Sequence, residues 1–260
     1  MDLIIFKLIL PPILILSASL AGRRWGDAIG GWVVGLPLTS GPVAAFLAIQ
    51  YGPEFASLSA NGSLVGTAAQ AWFSLGYAYL ARHGCAAAFL GGTAAYAGTA
   101  FLFQAVPMSN LACFGLGLAS LTVVIKLIPR RRLEASPVAM PWWDLPARML
   151  TVTVIVLAVT AAASSVGAQI AGLLATFPVF GSTMAIFAHR LKGPEMAAQI
   201  LRGMALGLYG FAGFFFILSL TLTRIGTVPA FLAAIASALI IQAVMLKTKS
   251  TFQVGAKHED

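Results

Sequence analysis

Two short runs of proline, glycine and hydroxyl residues interrupt otherwise apolar stretches of this 260-residue chain. The runs consist of Pro37, Thr39, Ser40, Gly41 and Pro42 in one half, and of Pro178, Gly181, Ser182 and Thr183 in the other. Proline has no amide hydrogen and clashes with the preceding turn, so a helix kinks or breaks there. Because a half-helix that begins after a break presents unpaired N–H groups, we expect these runs to bind a small anion.

Two cationic residues lie near the starts of long apolar runs, one in each half of the chain. Lys7 and Arg148 are candidates to steer a negative solute toward the interruptions, each from its own end. The alternative is that both residues anchor the ends of helices by extending their charge into water.

Catalytic chemistry is not expected from this composition. Hydrolysis or group transfer needs a positioned base, nucleophile or metal cluster, and only three histidines are present, none with an acidic partner at ligand spacing. We therefore expect no catalytic residue, no metal site and no cofactor. The acidic residues Asp27, Glu54, Asp144 and Glu195 fall near the ends of apolar runs. Their positions argue against a deeply buried carboxylate that carries protons or cations.

The elements that position these residues are predicted to be transmembrane helices. With 59% hydrophobic and 9% charged residues, the chain cannot cover the surface of a soluble globule with polar groups. Its apolar runs are ~20 residues long without alternation, which indicates helices rather than a barrel. The runs lie near 3–21, 28–50, 63–81, 84–104, 108–128, 146–163, 167–189, 203–222 and 225–246. The sequence thus predicts an all-α integral membrane protein with about nine transmembrane helices.

Basic residues concentrate in every second loop. They include Arg23 and Arg24, the block at 130–132, and the tail from Lys247 onward, whereas the alternate loops are almost without Lys or Arg. The positive-inside rule then predicts a multi-pass protein of the inner (plasma) membrane, with its N-terminus outside and its C-terminus cytoplasmic. The net charge of +8 follows from this bias and requires no nucleic-acid partner.

The two halves of the chain align with a shift of 141 positions. Over residues 29–56, nine of 28 positions are identical, including a Gly-Pro-Glu triplet at 52–54 and 193–195. Proline followed by an acid is typical of a helix start. An offset of five helices inverts the second copy, which predicts a 4+1+4 inverted-topology repeat with broken helices two and seven. The expected units are 1–106 (first repeat), 107–145 (linker helix and basic cytoplasmic loop), 146–246 (second repeat) and 247–260 (cytoplasmic tail).

A family resemblance rests on the run at 170–180, its continuation through 185–189, and the cations Lys7 and Arg148 that open the preceding helices. In these features each half resembles the small four-helix GlpM-type inner-membrane proteins, here duplicated in one chain. The first half departs from that pattern at 35–42. The resemblance implies the membrane architecture and an association with glycerol phosphate metabolism or exopolysaccharide production, without a substrate.

Three functions are compatible with these features. A secondary transporter of a small, anionic solute, working by alternating access around the two breaks, explains the repeat and the interruptions together. An accessory or scaffolding protein of an envelope-polymer or lipid pathway is the alternative, with the breaks as packing kinks bonded by neighbouring hydroxyls. An intramembrane enzyme is the least supported. The partners expected are the bilayer and a small solute, and a homodimer is left open.

Overall fold

A computed structural model describes residues 2–25, 29, 32–33, 35–37, 40–104, 106–128, 142–163 and 167–255. Across these residues the structure is helical, with short turns and no β-strand. The helices are α1 (Asp2–Trp25), α2 (Ser40–Leu80), α3 (Cys85–Gln104), α4 (Asn110–Leu127), α5 (Asp144–Ala163), α6 (Ala168–Ala175), α7 (Val179–Lys192), α8 (Pro194–Ile225) and α9 (Thr227–Gly255). The predicted all-α class is therefore confirmed.

Several of these helices have the length and composition of membrane spans. Within the described ranges, five segments are apolar enough over at least 18 residues to cross a bilayer. They are Cys85–Phe103, Asn110–Leu127, Ala168–Lys192, Pro194–Ile225 and Thr227–Met245. By length and composition, these helices are compatible with a multi-pass membrane protein. The count of nine spans stays a prediction.

Two glycines produce sharp breaks where loops were expected. Gly52 interrupts α2 with φ 87° and ψ 168°, and Gly193 separates α7 from α8 with φ 93° and ψ 172°. A residue with a side chain is strained at such positive φ values, so glycine is required at both sites. Proline follows each glycine and opens the next helical segment, as predicted for a helix start. The apolar runs predicted from 63 and from 203 therefore belong to helical segments that begin earlier, at Pro53 and Pro194.

The centre of the fold is formed by α2 and α8. They pack on each other, α3 and α4 pack against α2, and α9 packs against α8. The main core between them contains the fully buried side chains of Phe73, Tyr77, Leu208 and Phe215. A second core lies between α1, α7 and α8, where α1 also packs along α5. The first interruption leads directly into α2, and the second lies at the start of α7, which leads into α8.

Candidate functional site

The second interruption is a tight turn between α6 and α7. Pro178 cannot donate the helical hydrogen bond to Leu174, and the Leu174 carbonyl accepts instead from the Phe177 amide at 3.1 Å. The Thr176 amide donates to the Leu173 carbonyl at 3.0 Å, and the Val179 amide donates back to Phe177 at 2.7 Å. The break expected at Pro178 is present, and the backbone around it closes largely on itself.

Tyr96 of α3 adds a side-chain contact to this turn. Its hydroxyl donates to the Leu173 carbonyl at 2.6 Å and lies 3.1 Å from the Thr176 hydroxyl, which bonds the same carbonyl. The ring packs edge-on against Phe177 at 5.2 Å between centroids, and Phe177 also contacts Phe73. Sequence reasoning missed Tyr96. The signal available was a tyrosine inside an apolar run, since a buried phenol needs a polar partner.

The first interruption has the same backbone pattern as the second. Before the turn, the Gly35 amide donates to Trp32 at 3.2 Å and the Leu36 amide to Val33 at 3.1 Å. After it, the Gly41 amide donates to Pro37 at 2.9 Å, and the matching bond in the second half runs from Ser182 to Pro178 at 2.7 Å. Each donor and each acceptor lies 141 positions before its counterpart in the second half. The described backbone hydrogen bonds of the first turn thus match those of the second.

The structure brings the two interruptions into contact. Ser40, buried at the start of α2, donates from its hydroxyl to the Ala175 carbonyl at 3.2 Å. This bond connects the first turn to the last residue of α6, across 135 positions of sequence. The last three carbonyls of α6 therefore all accept hydrogen bonds from within the protein. They belong to Leu173, Leu174 and Ala175. These three acceptors beside the second turn are therefore already in use.

Each interruption packs on a glycine of the opposite half. A Cβ placed on Gly35 would lie 2.5 Å from the Met204 carbonyl oxygen and 2.7 Å from the Gly207 Cα atom of α8. In the other half, a Cβ on Gly66 of α2 would overlap the hydroxyl of Thr176. In the alignment of the two halves, Gly35 corresponds to Thr176, and Gly66 corresponds to Gly207. The contact of Gly35 with Gly207 is therefore equivalent to the contact of Thr176 with Gly66. Each turn can approach the backbone of the opposite central helix this closely only because that helix has a glycine, without a side chain, at the point of contact.

Three candidate residues lie in the first turns of α7. Gly181 packs against the Met204 side chain, and the Ser182 hydroxyl donates to the Val179 carbonyl at 3.0 Å. The Thr183 hydroxyl is buried and has no hydrogen-bond partner in the described structure. A buried hydroxyl without a partner is costly, so Thr183 is the polar group here that remains available to a ligand.

Other candidates fall partly or wholly outside the description. Thr39 lies outside the described residues, as do the side chains of Lys7 and Pro42. Their roles as solute contacts stay predictions. Pro37 lies in the turn that precedes α2, and Gly41 lies in the first helical turn of α2.

Arg148 is buried in a charge cluster between α1 and α5. Its guanidinium contacts one carboxylate oxygen of Asp144 at 3.0 Å and lies over the Phe187 ring, 5.1 Å from the centroid. The other carboxylate oxygen accepts from Arg23 at 3.4 Å. Asp144 opens a helix, as expected, yet its side chain is only 1% exposed. The described contacts of Arg148 are thus with this cluster and Phe187, and its proposed role in steering a solute stays a prediction.

A polar network ties α4 to both halves at one end of the bundle. The Asn61 amide donates to the Asn110 side chain at 2.5 Å, and Asn110 donates to the Ser219 hydroxyl at 3.1 Å. Ser57 bonds the Ser219 carbonyl at 2.9 Å. This network joins α2, α4 and α8. A bond from Asn110 to a neighbouring helix was expected of a polar residue in an apolar run, but its partners were not, because residues so distant in sequence have no common local pattern.

A second set of contacts lies at the opposite end of the bundle. The buried Tyr77 hydroxyl lies 3.2 Å from His189 Nδ1, which links the end of α2 to the end of α7. Arg202 of α8 donates to the carbonyl of Ile128, directly after α4. In sequence, the first contact lies beside the basic residues at 82–83 and 189–192, and Ile128 of the second comes just before the basic block at 130–132.

Comparison with known protein families, curated proteins and solved structures found no match to this chain. The resemblance of each half to the GlpM-type proteins therefore stays a prediction.

Proposed function

We propose that the chain is a secondary transporter of a small anionic solute, which it moves by alternating access around the two interruptions. The observation that carries this proposal is the direct contact of the interruptions through Ser40 and Ala175. In transporters built from inverted repeats, solute binds where paired broken helices meet near the bilayer midplane. Irregular backbone at that depth must be buried in protein or line a cavity, and here it is shared between both halves.

The inverted repeat is part of the proposal, and two features support it. The backbone hydrogen bonds of the two turns recur in the register of the sequence repeat. The turns also exchange packing partners, since Gly35 contacts Gly207 and Thr176 contacts Gly66. An exchange of this kind is expected from two copies related by a two-fold axis. The two interruptions then form one site on that axis.

An anionic solute is favoured by the groups that remain free at the second turn. The carbonyls of Leu173, Leu174 and Ala175 already accept hydrogen bonds, so the site offers few acceptors to a cation. The start of α7 offers backbone donors with the positive end of the helix dipole, and the Thr183 hydroxyl is unpartnered. Because the helix start supplies N–H donors and the Thr183 hydroxyl can also donate, the turn favours a negatively charged ligand.

The proposed topology has the N-terminus outside and the C-terminus in the cytoplasm of an inner membrane. The pairs Tyr77 with His189 and Ile128 with Arg202 join ends that the charge pattern assigns to the cytoplasm. The network of Asn61, Asn110 and Ser219 joins ends that it assigns to the outside. Each of these contacts connects helix ends that the charge pattern assigns to the same side of the membrane. The contacts therefore support the alternation of cytoplasmic and outside loops that the basic residues predict.

Cysteine accessibility tests this topology. In a chain with Cys85 and Cys113 replaced by serine, we expect Glu54→Cys to react with a membrane-impermeant maleimide on intact cells. Arg131→Cys and Lys249→Cys should react only after permeabilisation, because both lie in predicted cytoplasmic segments. Reaction of these two positions from opposite faces would overturn the inverted repeat.

Solute uptake into proteoliposomes tests transport itself, with small anions screened under imposed proton and sodium gradients. We expect Pro178→Ala and Pro37→Ala to reduce uptake roughly tenfold, which corresponds to about 1.4 kcal/mol, because a straightened helix withdraws the donors that bind solute. The matched control is Pro229→Ala, in the first turn of α9, where proline removes no helical bond. Equal losses of uptake and of folded protein in the Pro178 variant would contradict a solute site.

The accessory role is the second candidate, and one observation favours it. All three terminal carbonyls of α6 are bonded within the protein, as they would be in a kink that serves packing alone. The same uptake assay separates the two functions. An accessory protein would fold in the proteoliposomes and move none of the solutes.

A further inference from the structure

We propose that the end of α1 and the start of α5 form a binding site for the headgroup of an anionic phospholipid. The site consists of Arg23, Arg24, Trp25, Trp142 and Trp143, which we call the headgroup site. It is independent of the interruptions and of the proposed transport function.

Charge is the first argument for this site. Asp144 is bonded by both Arg23 and Arg148, so two guanidinium groups share a single buried carboxylate. The cluster therefore keeps an excess of one positive charge. Arg148 is buried, whereas the Arg23 side chain is 40% exposed and contacts Asp144 through only one of its nitrogens. The excess charge is thus presented outward by Arg23, whose remaining N–H groups are suited to a phosphate.

Arg24 adds a second outward cation. It is exposed, and its guanidinium lies over the ring of Trp25 at 5.6 Å from the centroid. Stacking on an aromatic face holds a guanidinium in one orientation while its edge stays available for hydrogen bonds. The last turn of α1 therefore carries two exposed arginines, Arg23 and Arg24.

The exposed tryptophans identify the environment of these cations. Trp142 is 87% exposed, Trp25 62% and Trp143 47%. Tryptophan is enriched at the level of lipid headgroups, where its ring is apolar and its indole N–H bonds polar groups. Trp142 and Trp143 directly precede Asp144, which is bonded to Arg23, so the rings and the cations belong to one end of the bundle.

The combination favours a phospholipid over a free anion. Inorganic phosphate would be bound by the arginines alone and would leave three large rings in water. An anionic phospholipid supplies a phosphate to Arg23 and Arg24, and its glycerol and upper acyl carbons cover the tryptophans. Basic residues beside a helix end on the cytoplasmic side attract the anionic lipids of that leaflet.

Thermal unfolding of the purified full chain in neutral detergent micelles tests this site. Phosphatidylglycerol, phosphatidylcholine and inorganic phosphate are added at matched concentrations. We expect phosphatidylglycerol to raise the Tm by about 2–4 °C more than phosphatidylcholine, because a ligand bound only by the folded protein stabilises it. Inorganic phosphate should leave the Tm unchanged.

Two variants locate the effect. Arg24→Gln should abolish the increment due to phosphatidylglycerol without disturbing the fold, because Arg24 is not part of the ion pair with Asp144. The matched control is Arg82→Gln, which removes an exposed cation from the turn after α2, and it should keep the full increment. Equal losses in both variants would overturn the site in favour of general charge attraction. An equal increment from inorganic phosphate would show a free-anion site, and equal effects of the two lipids would show no headgroup recognition.

Discussion

Asp144→Asn is expected to lower the free energy of unfolding by about 3–5 kcal/mol, the cost of leaving a buried charge without its partner. The Arg148 side chain is 4% exposed, and Asp144 is its only described counter-ion. Removing the carboxylate also releases Arg23, which connects α1 to α5. The measurement is thermal or denaturant-induced unfolding of the purified protein in detergent.

Two further variants decide whether the loss arises from an unpaired charge. Glu54→Gln removes an exposed carboxylate beside a helix start and should cost less than about 1 kcal/mol. Replacing both partners, as Asp144→Leu with Arg148→Met, should recover much of the stability, since no charge is then left buried. A cost for Asp144→Asn no larger than that of Glu54→Gln would mean that the ion pair does not contribute to stability.

Gly207→Ala and Gly66→Ala are each expected to destabilise the protein by about 1–3 kcal/mol, although alanine is the better helix former. At Gly207 a methyl group would meet the Trp32 carbonyl and lie 2.8 Å from the Gly35 Cα atom, and backbone cannot rotate away as a side chain can. At Gly66 it would meet the Thr176 side chain, which is fixed by its bonds to Leu173 and Tyr96. Unfolding in detergent gives the free-energy change of each variant.

Matched glycines with free space provide the control. Nothing lies within 4 Å of a Cβ built on Gly98 of α3 or Gly115 of α4. At these positions alanine should leave stability unchanged or raise it by up to about 1 kcal/mol, because only helix propensity changes. If all four substitutions change the free energy of unfolding in the same direction and by the same amount, then the close approach at Gly66 and Gly207 does not affect stability.

Local features were predictable from the sequence, and contacts between distant residues were not. The break at Pro178 and the helix start at Pro194 follow from the missing amide of proline and its fixed φ angle. The burial of Asp144 depends on Arg23, 121 positions away, and no local pattern records such a pairing. The helix start at Pro53 follows in the same way, whereas the direct kink at Gly52 inside α2 was not predicted.

The candidate site was only partly predictable for the same reason. The interruptions themselves are local, and Ser40, Gly181, Ser182 and Thr183 lie where the prolines indicated. Whether their backbone groups are free depends on the partners that surround them. Tyr96 of α3 and the carbonyl of Ala175 satisfy groups that the sequence left open, and Thr183 is left unsatisfied by its tertiary environment.

The exchange of packing partners has a consequence for biosynthesis. Because Gly35 lies against Gly207 of α8, a nascent chain that has inserted α1 through α4 still lacks the surface on which its first interruption packs. In the predicted nine-span topology, that segment remains unpacked in the membrane until α8 has been translated. Products truncated before residue 203 would expose irregular backbone to lipid. We expect such products to be degraded by membrane proteases instead of accumulating as stable half-proteins.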